Sequence, residues 1–359
     1  MNLLTRKKAV LIPLLLLLIP LTISGVTLDV RAQTTPTMNV AVSVTSLAGI
    51  IQEVSGSHSS ITILMEQEAD PHAFTLTPEI IAAADLADLL VFTGHFHWEE
   101  ELANQTSTPF ITFHDNLALE SYEEFGAELS PMPGGVLEGH EEDEHEHEGN
   151  PHGFWLLPEN AVAIANATRS ALTTLNDTLA SEWTLNFDFF VESVEEFQDK
   201  VDTLDAVYHF SDMHAVVAFP AEAYVAQTFG ISADAVLQVE EITISGSQLY
   251  EVQQAIRNGS IDLIIGSDVA RLLASGEFAY QLQADYGGIL VWWKTVFFAE
   301  SNYIWMMDYN LATLIDRIEE GPLDITDNTL NIGLAALAGV LGVFVAIETT
   351  LLVMRARTE

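Results

Sequence analysis

Short β-like runs alternate with helical patterns along most of the chain, and one long amphipathic stretch divides them into two blocks. In the first block, runs at 38–44, 61–65, 89–93 and 110–113 are separated by helical segments at 46–54, 78–87 and 98–103. In the second, runs at 215–219, 236–238, 261–265 and 288–293 alternate with helical segments at 221–229, 247–258 and 269–279, and a closing helix follows at 303–319. Strands that alternate with helices predict a mostly parallel sheet covered on both faces. Between the blocks, 159–175 reads as a helix. Trp183, Phe187, Phe190, Val191, Val194, Phe197, Val201 and Leu204 then recur at three- and four-residue steps. That spacing is one apolar face of a long helix. The expected fold is α/β: two (β/α)4 lobes joined by one long rigid helix, with a cleft between them. The expected boundaries are 38–158 for the N-terminal lobe, 159–208 for the linking helices and 209–320 for the C-terminal lobe.

The two ends bear on compartment. Arg6, Lys7 and Lys8 precede a short apolar run at 9–23, and Val30-Arg-Ala32 has the small-residue pattern of a processing site. Residues 1–32 are therefore expected to be a signal peptide or an uncleaved anchor. Residues 330–354 are almost wholly apolar and long enough to span a bilayer, and Arg355 and Arg357 follow at once. This predicts a C-terminal transmembrane helix with its end in the cytoplasm and the body of the chain outside it. The expected location is the cell membrane, with a monomeric extracytoplasmic ectodomain on a single span.

Charge narrows the function. Twelve Lys and Arg face 52 Asp and Glu, a formal net charge of −40. Nucleic acid and anionic lipid are poor partners for such a surface, whereas cations are good ones. The chain has no cysteine, so a bound metal must rest on His, Asp, Glu or water. Residues 120–150 are acidic and contain Pro131, Pro133, Gly134, Gly135 and then His140, His145 and His147 among carboxylates. This segment reads as a flexible loop able to gather cations loosely. Asp70-Pro-His72 and Asn150-Pro-His152 are proline-stiffened turns before helices. The first lies off the end of a strand, where open α/β sheets bind ligands. A neutral imidazole in such a place is a common transition-metal ligand. No Gly-rich phosphate loop, nucleophile elbow or pair of catalytic carboxylates stands out, so an enzyme is not expected.

Five stretches together carry a resemblance. They are Ser43-Val-Thr-Ser-Leu-Ala-Gly49, Ala69-Asp-Pro-His-Ala-Phe-Thr-Leu-Thr-Pro78, Ala87-Asp-Leu-Leu-Val-Phe-Thr-Gly94, Pro151-His-Gly-Phe-Trp-Leu-Leu-Pro-Glu-Asn-Ala161 and Ser301-Asn-Tyr-Ile-Trp-Met-Met-Asp-Tyr-Asn310. In this order and spacing, over about 38–318, the chain resembles the metal-binding solute-binding proteins of zinc and manganese ABC importers. The resemblance implies a receptor that captures Zn²⁺ or Mn²⁺ and delivers it to an ABC permease and its ATPase. It implies His72 and His152 as ligands. The family's third ligand, a His, falls at Phe219 or Pro220, and its carboxylate falls near Trp292 or Trp293; none of these can bind a metal. Three repairs stay open: Glu222 or Asp268 from the second lobe, His95, His97 or His114 from the first, or a cargo other than a bare ion. The alternative function is an adhesion or structural surface protein whose metal site has decayed.

Overall fold

The computed structural model describes residues 38–65, 70–134, 149–240, 242–297 and 302–322, all within one compact unit. The first block forms a five-stranded sheet from β1 (Met38–Val42), β2 (Ser59–Ile63), β3 (Leu89–Val91), β4 (Phe110–Thr112) and β5 (Glu120–Ser121). Its order is β2-β1-β3-β4-β5 and every pairing is parallel. Helices α1 (Thr45–Ser55), α2 (Pro78–Asp85) and α3 (His97–Gln105) connect the strands. β1 and β3 are buried on both faces apart from Asn39, as their near-continuous apolar runs require.

Helix α4 (Pro158–Leu175) and the 29-residue α5 (Ala180–Tyr208) follow. At 1.5 Å per residue α5 is about 43 Å long. Trp183, Phe190, Val194, Phe197 and Val201 of the expected stripe are buried along it, and Phe187 and Leu204 are partly so. The second block builds a parallel four-stranded sheet in the order β11-β10-β6-β7. Its strands are β6 (His214–Val217), β7 (Ser232–Val236), β10 (Leu263–Ser267) and β11 (Ile289–Trp293). A separate antiparallel hairpin, β8 (Gln238–Val239) with β9 (Ile242–Thr243), leaves its edge. Helices α6 (Glu222–Thr228), α7 (Gly246–Asn258), α8 (Ala274–Tyr286) and α9 (Tyr303–Glu320) complete this half.

Two parallel sheets and a long helix agree with the α/β expectation, but the strand count differs. The first sheet has five strands because Glu120–Ser121, read as the start of a flexible loop, pairs with β4. A 3-10 turn at Tyr122–Phe125 continues it, with Tyr122 fully buried and its hydroxyl donating to the Phe92 carbonyl. In the second sheet β7 lies at 232–236, earlier than the run expected at 236–238. Its Ser-Ala-Asp-Ala sequence has little β propensity, and it holds an exposed edge. Likewise α8 runs over 274–286 rather than 269–279, after a 3-10 turn at Ala270–Leu272. Among the described residues no helix is long and apolar enough to cross a membrane. The leader expected at 1–32, the span expected at 330–354 and His140, His145 and His147 all lie outside the described residues.

The two halves are stitched by specific bonds as well as by core. The Tyr224 hydroxyl of α6 donates to the Asn150 carbonyl at 2.5 Å and accepts from the Ser130 amide at 3.0 Å. The Tyr303 hydroxyl at the start of α9 donates to the Leu156 carbonyl at 2.7 Å. These side chains are fully buried, so each hydroxyl needs its partner.

Candidate metal centre

In both sheets strand order reverses beside a central strand, and the loops at the carboxyl ends there are the natural place for a ligand. His72 follows β2 and His95 follows β3, while Phe219 follows β6 and Asp268 follows β10. His152 lies on the chain returning toward α4.

His72 and His152 sit on turns of one design. The Asp70 Oδ1 accepts from the His72 amide at 3.0 Å, and the Asn150 Oδ1 accepts from the His152 amide at 3.0 Å. In each Asx-Pro-His turn the side chain before the proline ties down the histidine backbone, and the proline restricts what remains. The second turn is also fixed to the other half, since the Asn150 Nδ2 donates to the Pro220 carbonyl at 2.9 Å. Gly153 follows with φ +78°, and a Cβ there would come within 2.9 Å of the Ala221 Cβ. Only glycine lets the turn approach α6 so closely.

His95 is held differently. The loop 93–96 wraps around the buried carboxylate of Glu99, in the first turn of α3. Glu99 accepts from the Thr93 amide (2.8 Å), the Thr93 hydroxyl (2.7 Å), the Gly94 amide (2.9 Å), and the His95 and Phe96 amides (3.3 Å each). Burial pushes its acidity down, raising its pKa, while these bonds favour the charged form. Gly94, at φ +80°, passes so close to Thr112 that a Cβ would lie 2.5 Å from the hydroxyl oxygen.

The three loops bring His72, His95 and His152 together. One ligand nitrogen from each lies within 4.8 Å of the others. His95 Nε2 and His152 Nδ1 are 3.0 Å apart, and the ring centroids are separated by 4.3 Å (His95–His152), 4.9 Å (His72–His95) and 5.3 Å (His72–His152). Burial, with a smaller contribution from the charge of His72, lowers the His95 pKa to about 3 and holds the ring neutral. Burial also lowers His72, against the opposing pull of Glu240 and Asp70. Three imidazoles that converge on one point are a nitrogen donor set suited to a transition metal. Around them stand aromatic rings: Phe96 at 5.2 Å from both His72 and His95, and Phe219 at 5.1 Å from His152 and 6.2 Å from His72.

The remaining candidates lie elsewhere. The side chain of His97, the first residue of α3, is 90% exposed and 3.9 Å from Glu100. His114, after β4, sits against the Glu123 carboxylate. Asp268 holds the chain after β11: its carboxylate accepts from the Thr295 hydroxyl at 2.9 Å and from the amides of Thr295 (3.2 Å), Val296 (3.4 Å) and Phe297 (3.0 Å). Trp293 packs on Phe229, and Trp292 lies under the Arg271 guanidinium. Nothing in the sequence separated His95 from His97. The usable signal was Glu99, four residues on, an acid at the third position of α3 able to collect the amides of a tight loop.

Glu222 is fully buried, and its Oε2 accepts from the Phe219 amide at 2.7 Å. Among the described residues its Oε1 finds no partner. Burial raises its pKa to about 8, and the negative field of Asp268 adds to this. The folded state thus keeps a proton that the unfolded state gives up near pH 4.5. Stability from this proton is full below pH 4.5 and is lost as pH rises toward 8. Glu222→Gln, which carries the neutral shape permanently, is expected to stabilise the fold at pH 9 by on the order of 3 kcal/mol and to change little at pH 4. Urea denaturation at the two pH values measures the difference.

The sequence profile described as ZnuA, zinc-uptake complex component A, periplasmic, matches residues 40–317. The zinc-binding lipoprotein AdcA of Streptococcus pneumoniae is 22% identical over 223 residues, 59% of this chain and 42% of that protein. The match thus spans less than half the length of that curated relative. Among solved structures, AdcAII of Streptococcus pneumoniae superposes with a TM-score of 0.60 at 20% identity, covering 79% of this chain and 100% of that one. The solute-binding protein FpvC of Pseudomonas aeruginosa, solved with Mn²⁺, gives 0.61 at 17% identity over 79% and 99%. At these identities the superpositions establish the fold. The profile, which takes in more than three-quarters of the sequence, establishes more: the chain belongs to the periplasmic zinc-uptake component A family.

Proposed function

We propose that this protein is an extracytoplasmic solute-binding receptor that captures one divalent transition metal ion, zinc or manganese, on His72, His95 and His152 and delivers it to an ABC permease with its ATPase. The observation that carries this reading is the convergence of three imidazole nitrogens within 4.8 Å. Tetrahedral zinc, with bonds of about 2.0 Å, sets its donors about 3.3 Å apart, so small ring rotations suffice. His95 supplies the nitrogen that Phe219 does not, which weighs against a decayed site on an adhesion scaffold. Nitrogen donors favour zinc over manganese, which prefers oxygen.

The apolar run at 330–354, followed by two arginines, is the basis for a single C-terminal membrane anchor. A tethered receptor gains effective concentration at its permease. His140, His145 and His147, with the carboxylates around them in the acidic loop 120–150, gather cations near it.

Calorimetric titration of the purified, metal-stripped protein tests the reading. One Zn²⁺ per chain is expected to bind, with Mn²⁺ at least about tenfold weaker. Absence of a saturable zinc site, or a site unaltered when His72 and His152 are both replaced by alanine, would refute it.

A further inference from the structure

Acceptor tripeptides for N-linked sugar, Asn-x-Ser/Thr, stand at Asn104-Gln-Thr106, Asn166-Ala-Thr168, Asn176-Asp-Thr178 and Asn258-Gly-Ser260. So short a pattern recurs by chance. What makes one an acceptor is its place, an accessible turn on the surface of an exported chain. The fold separates the four. Asn166 lies inside α4, where its Oδ1 accepts from the Arg169 side chain at 2.8 and 3.1 Å. Thr168 beside it is fully buried, its hydroxyl donating to the Ile164 carbonyl at 2.8 Å. Asn176 is half-buried between α4 and α5, and the Thr178 hydroxyl donates to its Oδ1. Asn104 is exposed near the end of α3, but Thr106 is half-buried and its hydroxyl donates to Asp85 at 2.8 Å.

In the fourth tripeptide Asn258, Gly259 and Ser260 are all exposed. Asn258 is the last residue of α7, and Gly259 ends the helix at φ +76°. A Cβ on Gly259 would meet no atom within 4 Å, so the turn stands clear of the body. The Asn258 Oδ1 accepts from the Ser260 amide at 3.0 Å. That bond holds the side chain by its oxygen. Among the described residues no bond engages its nitrogen, the atom a sugar joins, or the Ser260 hydroxyl. The chain then enters β10 at its amino end, where the Asp262 amide donates to the His214 carbonyl of β6 at 2.9 Å. The imidazoles gather past the carboxyl ends of the strands. The length of a five-residue strand, about 16 Å, therefore lies between this turn and that level.

We infer that Asn258 is an N-glycosylation site, set at the end of the second sheet opposite the metal centre. Its Nδ2 displaces a lipid phosphate from the anomeric carbon of a lipid-linked oligosaccharide. A C–N bond forms, the C–O bond to the phosphate breaks, and the amide gives up one proton. A membrane transferase supplies that donor outside the cytoplasm, so the inference rests on the extracytoplasmic placement above. Mass spectrometry of peptides from the full chain, purified from the membranes of the cells that make it, is the test. The peptide with Asn258 is expected to carry sugar on that residue, and the peptide with Asn166 to carry none. Asn258→Gln and Ser260→Ala are each expected to abolish the added mass and to leave zinc affinity within about twofold of wild type, since distant sites act independently. An unmodified Asn258, in a chain that an impermeant protease cleaves on intact cells, would overturn the site and leave the placement standing. A chain that the protease reaches only after lysis would overturn both.

Discussion

Replacing His95 with alanine is expected to weaken zinc by more than about 100-fold while leaving the fold intact. Loss of an outer-shell group alone costs 10- to 100-fold at typical sites, and a direct ligand costs more. The side chain is half-buried on a loop whose backbone is held by Glu99, so truncation removes a nitrogen without removing the loop. His95 is also the donor that burial keeps neutral down to about pH 3, and it never has to shed a proton to accept an ion near neutrality. Competition titration with a chromophoric chelator measures the loss, and circular dichroism confirms the fold. His97→Ala, two residues on and exposed, is the matched control and should bind as wild type.

The second large effect is expected at Glu99. Glu99→Ala strands four backbone amides and the Thr93 hydroxyl around a cavity the size of a carboxylate. Each unsatisfied buried donor costs about 1–3 kcal/mol, and water entering the cavity recovers part of it. A net destabilisation of at least about 3 kcal/mol is expected, read from the denaturation midpoint. Zinc affinity should fall with it even under conditions where the variant remains folded, because His95 loses the frame that aims it. Glu99→Gln keeps one acceptor oxygen but turns an NH2 group toward the amides, so it should fall between alanine and wild type on both measures.

These expectations show what was legible in the chain and what was not. The two-block α/β plan was open to reading because periodicity of two and of 3.6 residues is written in neighbouring residues. The stripe from Trp183 to Val201 is the plainest case. His72 and His152 stood out because proline and an Asx residue define a turn locally. His95 did not, since its placement depends on Glu99 folding back across five residues to gather amides. Glu222 and Asp268 looked like equal candidates for the missing ligand. Only tertiary structure reveals that one is fully buried and holds the Phe219 amide, and the other is occupied by the amides of 295–297. The strand at 232–236 was hidden for the opposite reason: its residues have little preference of their own, and pairing with β6 imposes the conformation.

The imidazoles of His72 and His95 hang from loops of the first sheet, and that of His152 from the turn leading into α4; none belongs to the second sheet. Grip and cover are therefore separate duties. An ion seated there would be held by nitrogens that need no rearrangement of the opposite wall, and that wall, with the phenyl ring of Phe219, would govern exposure to water. Unloading into a permease could then begin by drawing aside the shutter, with the cradle disturbed last.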